Sequence, residues 1–372
     1  MRILKLSTAL PKNEFSTEKL IRSFPCELPE GVKENVWNLG VSKRCFIDHN
    51  YSSSLPETVM SEAGIVDLCA EACNDAVRGA GLSMGDVGYL VAAYDACPFL
   101  SPGLSQFLVP KLGLNPYIKH VNAQGVASTA FMKTLDLAEH YLALHPDDHV
   151  LVCISGVTSY WFHNQIRGLK DLMEVANISS IADPAKRNLE LRKWVATIQY
   201  FLFGDGAAAA VVASGGEGLS LKGTVEVTNV GKEDYMAGYS RLAVTNDLFR
   251  FGFHSHLDRK IPELGAKYTS LALEKLLGRD AERVMKTAKK WVVHTGSEKI
   301  LTKLSERNGI KPEKLRESHE ILKEYGNLAG ASLPFILDKV LKNSRFNVGD
   351  LILMVGYGWG FSAAASLLEY LE

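Results

Sequence analysis

Phe203-Gly204-Asp205-Gly206-Ala207-Ala208-Ala209-Ala210, running on into Val211-Val212-Ala213, is the stretch whose reading decides the fold. Two glycines around an aspartate permit a tight backbone turn, and an alanine run lets a strand pack closely against what lies behind it. Asp205 is therefore expected to serve the turn. On either side, short apolar runs alternate with amphipathic segments of helical period, the pattern of an α/β architecture. Strands are expected at 89–93, 149–154, 207–213, 291–294 and 351–355, and helices at 64–79, 129–144, 265–277, 298–307 and 328–341.

The order of these segments repeats. Tyr89-Leu90-Val91-Ala92-Ala93 precedes a turn, a helix, a helix starting near Ser128 and the strand Val150-Leu151-Val152. Trp291-Val292-Val293 precedes a turn, a helix, a helix starting after Asn327 and the strand Leu351-Ile352-Leu353. Two halves, 1–215 and 216–372, follow from this order. A duplication of this kind brings the two equivalent helix N-termini face to face, so that polar residues at both starts meet in one cleft. The polar stretch 164–197 interrupts the first half and reads as an exposed helical hairpin, or as a lid or partner-docking insertion.

Composition narrows the class. At 372 residues, 47% hydrophobic and 22% charged, the chain can bury a sizeable core. With 41 basic against 42 acidic side chains the net charge is −1, so no global field draws nucleic acid or an anionic membrane. The six cysteines (Cys26, Cys45, Cys69, Cys73, Cys97 and Cys153) form no regular framework, and the N-terminal run reaches Pro11 and Lys12 too soon for a secretory segment. A reducing cytoplasm is the expectation, with Cys69 and Cys73 as buried small thiols rather than metal ligands. Residues 351–368 carry no charge, but Gly356-Tyr357-Gly358-Trp359-Gly360 interrupts them and favours two strands and a loop over a membrane span. No glycine fingerprint for a nucleotide and no basic aromatic stripe occurs.

The turn-and-alanine string, followed by its valine strand, resembles the chalcone synthases and ketoacyl synthases. So do Leu112-Gly113-Leu114-Asn115-Pro116-Tyr117-Ile118-Lys119-His120, Ile310-Lys311-Pro312-Glu313-Lys314-Leu315-Arg316, and Glu324-Tyr325-Gly326-Asn327 with Phe335-Ile336-Leu337-Asp338. The chain is thus similar to thiolase-superfamily condensing enzymes, namely the type III polyketide synthases and the third class of ketoacyl-carrier-protein synthases. The resemblance implies a duplicated five-layered αβαβα fold with mixed sheets. It also implies a cysteine, histidine and asparagine triad. Gapless counting puts Ser128 at the cysteine's position, His294 at the histidine's and Asn327 at the asparagine's.

In the family the cysteine takes an acyl group from a thioester, while the other two stabilise the enolate made by decarboxylation. A serine hydroxyl gains little from a helix dipole worth about 0.3–1 kcal/mol, because its ionisation lies far above neutrality. Ser128 therefore needs a base, and His294 is the expected one. Ser128 is either native or a replacement introduced for cysteine. Taken singly, a serine near a helix start is an N-cap and an aromatic in a strand is core.

The resemblance further implies that Phe203 and Phe253 gate a pantetheine tunnel, that Gly358 and Trp359 line the cavity floor, and that Lys43 and Arg44 meet phosphates. His294-Thr295-Gly296-Ser297 departs from the family pattern after the histidine. The implied activity is acyl transfer or ketosynthesis, with a coenzyme A or phosphopantetheine thioester as substrate and no tightly bound cofactor. Implied partners are acyl-CoA or an acyl carrier protein, and a second copy or a related ketosynthase-like subunit. The rival expectation is a catalytically impaired partner subunit.

Overall fold

The computed structural model describes residues 1–47, 64–96, 101–166, 168–244 and 251–371. Thirteen strands are described: β1 (Arg2–Ala9), β2 (Asn13–Ser16), β3 (Lys43–Phe46), β4 (Val87–Tyr94), β5 (Lys119–Gln124), β6 (His149–Ser155), β7 (Ala207–Ala213), β8 (Gly218–Thr228), β9 (Gly238–Val244), β10 (Phe251–Leu257), β11 (Lys290–Val293), β12 (Leu351–Gly358) and β13 (Ser362–Leu371). Nine of them form one sheet in the order β11-β12-β13-β8-β1-β7-β6-β4-β5. β4 pairs in parallel with β5 and β6, and β11 with β12, whereas the contacts of β1, β7, β8 and β13 are antiparallel. The sheet is mixed, as expected.

Layering follows from which face each apolar run buries. One core cluster joins Val91, Val152 and Ala208 of the first half to Ile352 and Met354 of the second through the helices Ala130–Leu144 and Ser332–Asn343. A second cluster packs Ile65–Gly79 on the opposite face of β4, β6 and β7, burying Cys69, Cys73 and Cys153. A third packs Ile261–Leu277 and Glu298–Asn308 on the outer face of β11, β12 and β13. Outer helix, the β4-β6-β7 part of the sheet, the paired central helices, the β11-β12-β13 part of the same sheet and outer helices make five layers.

Both central helices begin in a short tight turn, Ala127–Thr129 and Ala329–Ala331. The close approach of these two turns requires Gly330, because a Cβ there would lie 2.9 Å from that of Ala130. Residues 351–368 are the strand pair β12 and β13 around Trp359–Phe361 rather than a span. No helix among the described residues is long and apolar enough to cross a membrane.

The insertion differs from a simple exposed hairpin. Residues 164–197 take in the end of the helix Ser159–Ile166, a short turn of helix Val175–Ile178, and most of the long helix Pro184–Leu202. Asp183 caps the last, its carboxylate accepting from the Ala185 N–H at 2.9 Å, with Pro184 at the first helical position. The outer end of this helix is polar, whereas residues 195–202 are buried.

Candidate active site

Strand ends place the site. β4 ends at Tyr94 with Asp95 next, β11 ends at Val293 with His294 next, and β12 ends in Gly358. β4 and β11 each run parallel to a neighbour, and ligands gather beyond the carboxyl ends of such strands. The two central helix starts close the space from the other side.

Each start is an elbow. Ala127 has φ of 47° and Ala329 φ of 48°, left-handed values that L-residues rarely adopt. Each elbow N–H is held by a carbonyl-type side-chain oxygen at 2.8 Å: Asp95 Oδ1 accepts from Ala127, and Asn327 Oδ1 accepts from Ala329. The duplication expected from element order is therefore repeated in single hydrogen bonds.

His294, Asn327 and Ser128 are buried, with 2%, 5% and 7% exposure, and all three line one cavity of about 760 Å³. Asn327 is fixed by its backbone as well: its N–H donates to the Leu202 carbonyl at 2.9 Å, and its carbonyl accepts from Gly204 at 3.2 Å. With Oδ1 used on Ala329, its amide nitrogen remains as the donor.

The His294 N–H donates to Val355 at 3.0 Å, and the ring packs edge-on against Tyr357 at 5.3 Å. Burial pulls its pKa down to about 3, so the imidazole is neutral throughout the working range. Nδ1 is buried without a partner among the described residues. Thr295 donates to Ser332 Oγ at 3.0 Å, and Ser332 Oγ also accepts from the Leu328 N–H at 3.0 Å, tying the His294 loop to the Asn327 helix.

Among the described residues no hydrogen bond joins Ser128 to His294. The positive φ falls on Ala127, one residue before the serine. A neutral imidazole is suited to donating a hydrogen bond to an oxyanion.

Phe203, Gly358 and Trp359 line the same cavity. Phe203 packs on Phe162 at 4.7 Å and forms an isolated bridge with Asn327. The side chain of Phe253 lies outside the described residues, although its backbone pairs with Leu242. Lys43 and Arg44 are not at the cavity. Lys43 forms an ion pair with Glu14 at 2.7 Å. Arg44 is fully buried, donating to Thr17 Oγ1 at 2.9 Å and to the Phe201 carbonyl, and burial draws its pKa down to about 10. Neither can meet a phosphate there.

The exposed basic residues lining the cavity are Arg259 and Lys299, which no sequence motif marks. Val175 and Trp194 bring the insertion into the cavity wall, and Ile198 and Leu202, four and eight residues after Trp194 on the same helix face, continue it. That spacing is visible in the sequence. Asp95 was also missed, although an acidic residue directly after a predicted parallel strand is a usable signal.

Comparison with known proteins gives the same architecture. Residues 273–370 match the family model for the C-terminal part of 3-oxoacyl-[acyl-carrier-protein] synthase III, a span that takes in His294, Asn327 and Gly356–Gly360. The crystal structure of 1,3,6,8-tetrahydroxynaphthalene synthase from Streptomyces coelicolor A3(2), a bacterial type III polyketide synthase, superposes with a TM-score of 0.77 at 20% identity, covering 100% of both chains.

The chain has the thiolase fold. Two further similarities of this thiolase-fold chain agree. A cysteine-to-serine variant of OleA from Xanthomonas campestris, with bound lauric acid and lauroyl-CoA, superposes with a TM-score of 0.71 at 18% identity over 99% of this chain and 98% of that one. The 3,5-dihydroxyphenylacetyl-CoA synthase of Amycolatopsis balhimycina is 23% identical over 305 residues, covering 82% of this chain and 74% of the relative. The thiolase-fold chain therefore resembles condensing enzymes along most of its length.

Proposed function

We propose that this protein is a condensing enzyme that takes a coenzyme A thioester into the cavity. The observation that carries the proposal is the convergence of a neutral His294, the Asn327 amide and Ser128 on one buried space. Two neutral donors in a site shielded from water stabilise an oxyanion without reorganising when it forms. A malonyl-type thioester losing carbon dioxide leaves an enolate whose oxygen His294 and Asn327 receive, and the enolate carbon then attacks an acyl carbonyl. In the finer form of the proposal, Ser128 holds that acyl group as an oxyester. The names of the two similar synthases support the reaction class, and the bound lauroyl-CoA of the OleA variant supports the donor class.

A second reading removes the covalent step. It is favoured by the alanine at the strained elbow and by the absence of a Ser128–His294 hydrogen bond among the described residues. Here both thioesters lie in the cavity and condense directly.

Intact mass after incubation with a panel of acyl-CoA and acyl-carrier donors, together with carbon dioxide release from malonyl-CoA, tests the proposal. An adduct abolished by Ser128→Ala supports the acylated form. Malonyl-CoA turnover that survives Ser128→Ala without any adduct supports the direct form. Absence of both, with a second ketosynthase-like chain co-purifying from the source, would replace the enzyme by a partner subunit.

A further inference from the structure

The two elbows make the same hydrogen bond with different side chains. Asn327 holds Ala329 through an amide oxygen, and Asp95 holds Ala127 through a carboxylate oxygen, both at 2.8 Å. The second half thus shows that a neutral amide suffices to cap such an elbow. A carboxylate placed against a cavity of apolar walls carries a desolvation cost that the cap does not require. Its second oxygen, Oδ2, has no hydrogen-bond partner among the described residues, and Asp95 lines the cavity with Ser128.

We propose that Asp95 is the proton acceptor of this site, taking the proton from Ser128 Oγ as that oxygen attacks the thioester carbonyl. The O–C bond forms, the C–S bond breaks, and the proton passes from Asp95 Oδ2 to the departing coenzyme A sulfur. This rests on the acylated form of the function proposed above.

Burial supports the assignment from both sides. It lifts the Asp95 pKa to about 6 against the opposing pull of the Ala127 N–H, a value suited to accepting and returning a proton near neutrality. It also leaves His294 near 3, too weak a base for the task. The other titratable or charged groups lining the cavity are His294, Tyr239, Tyr357, Asp258, Arg259 and Lys299.

The test is the rate of acyl-enzyme formation from acetyl-, hexanoyl- and lauroyl-CoA, followed by quenched-flow mass measurement between pH 5 and 9. In the wild type the rate should rise through about pH 6 and level off. Asp95→Asn keeps the cap oxygen and should acylate about 10²–10⁴-fold more slowly, without the inflection. A purely structural cap gives the opposite pattern, with Asp95→Asn acylating like the wild type and Asp95→Ala impaired; that result overturns the proposal. If no donor labels even the wild type, the acylated form of the function fails first, and this proposal fails with it.

Discussion

Replacing Asp205 by asparagine should destabilise the protein by an amount that can be worked out bond by bond. Oδ1 accepts the N–H groups of Thr158 and Ser159 at 2.9 and 3.0 Å. Oδ2 accepts the Ile47 N–H at 3.0 Å and the Ser159 hydroxyl. The carboxyl group is fully buried, so no water substitutes for a lost acceptor.

In Asp205→Asn the amide oxygen can replace Oδ1, and the Ser159 hydroxyl can turn to accept. The Ile47 N–H then faces an NH₂ group and loses its acceptor. One orphaned buried donor costs about 1–3 kcal/mol. Asp205→Ala orphans three backbone donors, for about 3–9 kcal/mol, comparable with a whole stability of about 5–15 kcal/mol.

Urea unfolding at fixed pH measures both, and the order should be wild type, then asparagine, then alanine, with an unchanged denaturant slope between wild type and asparagine. Equal midpoints for wild type and Asp205→Asn would refute the reasoning, as would an alanine variant no worse than the asparagine one. Because Thr158 lines the cavity and loses its acceptor only in the alanine variant, Asp205→Ala should also bind its thioester more weakly than Asp205→Asn.

His294 makes a prediction about acid. Its folded pKa of about 3 lies below the ordinary value, so the unfolded chain binds the proton first and stability falls as pH drops below about 6.5. Between pH 6.5 and 5 the loss from this residue is about 2 kcal/mol, and the difference between wild type and His294→Asn in urea midpoints at pH 7.5 and 5 should show it. Gly358→Ala puts a Cβ 2.5 Å from that of Ala127. The variant should lose about 1–3 kcal/mol and most thioester turnover while its circular dichroism stays native.

Much of the fold was legible because its signals are local. The turn and alanine string places β7 at Ala207–Ala213, and the helical period of 64–79 finds Ile65–Gly79 to within a residue. Lys43 and Arg44 were misread as a pair because adjacency in sequence suggests a shared surface. They lie on β3, where successive side chains point to opposite faces, so one meets Glu14 outside and the other Thr17 within. The elbow at Ala127 was hidden for a different reason: a left-handed alanine leaves no compositional mark, unlike glycine. Asp95 acquires its meaning only from a bond across 32 residues to a helix start.

The twin elbows bear on how such a chain changes over generations. Ala329 shows that a methyl side chain is sufficient for the corner to fold, since its backbone bond to Asn327 and the glycine beside it meet the geometric demand. The occupant of the matching corner at 127 is therefore released from any duty to the framework. Exchange of the side chain presented there is therefore expected to change the cavity it faces at little cost to folding.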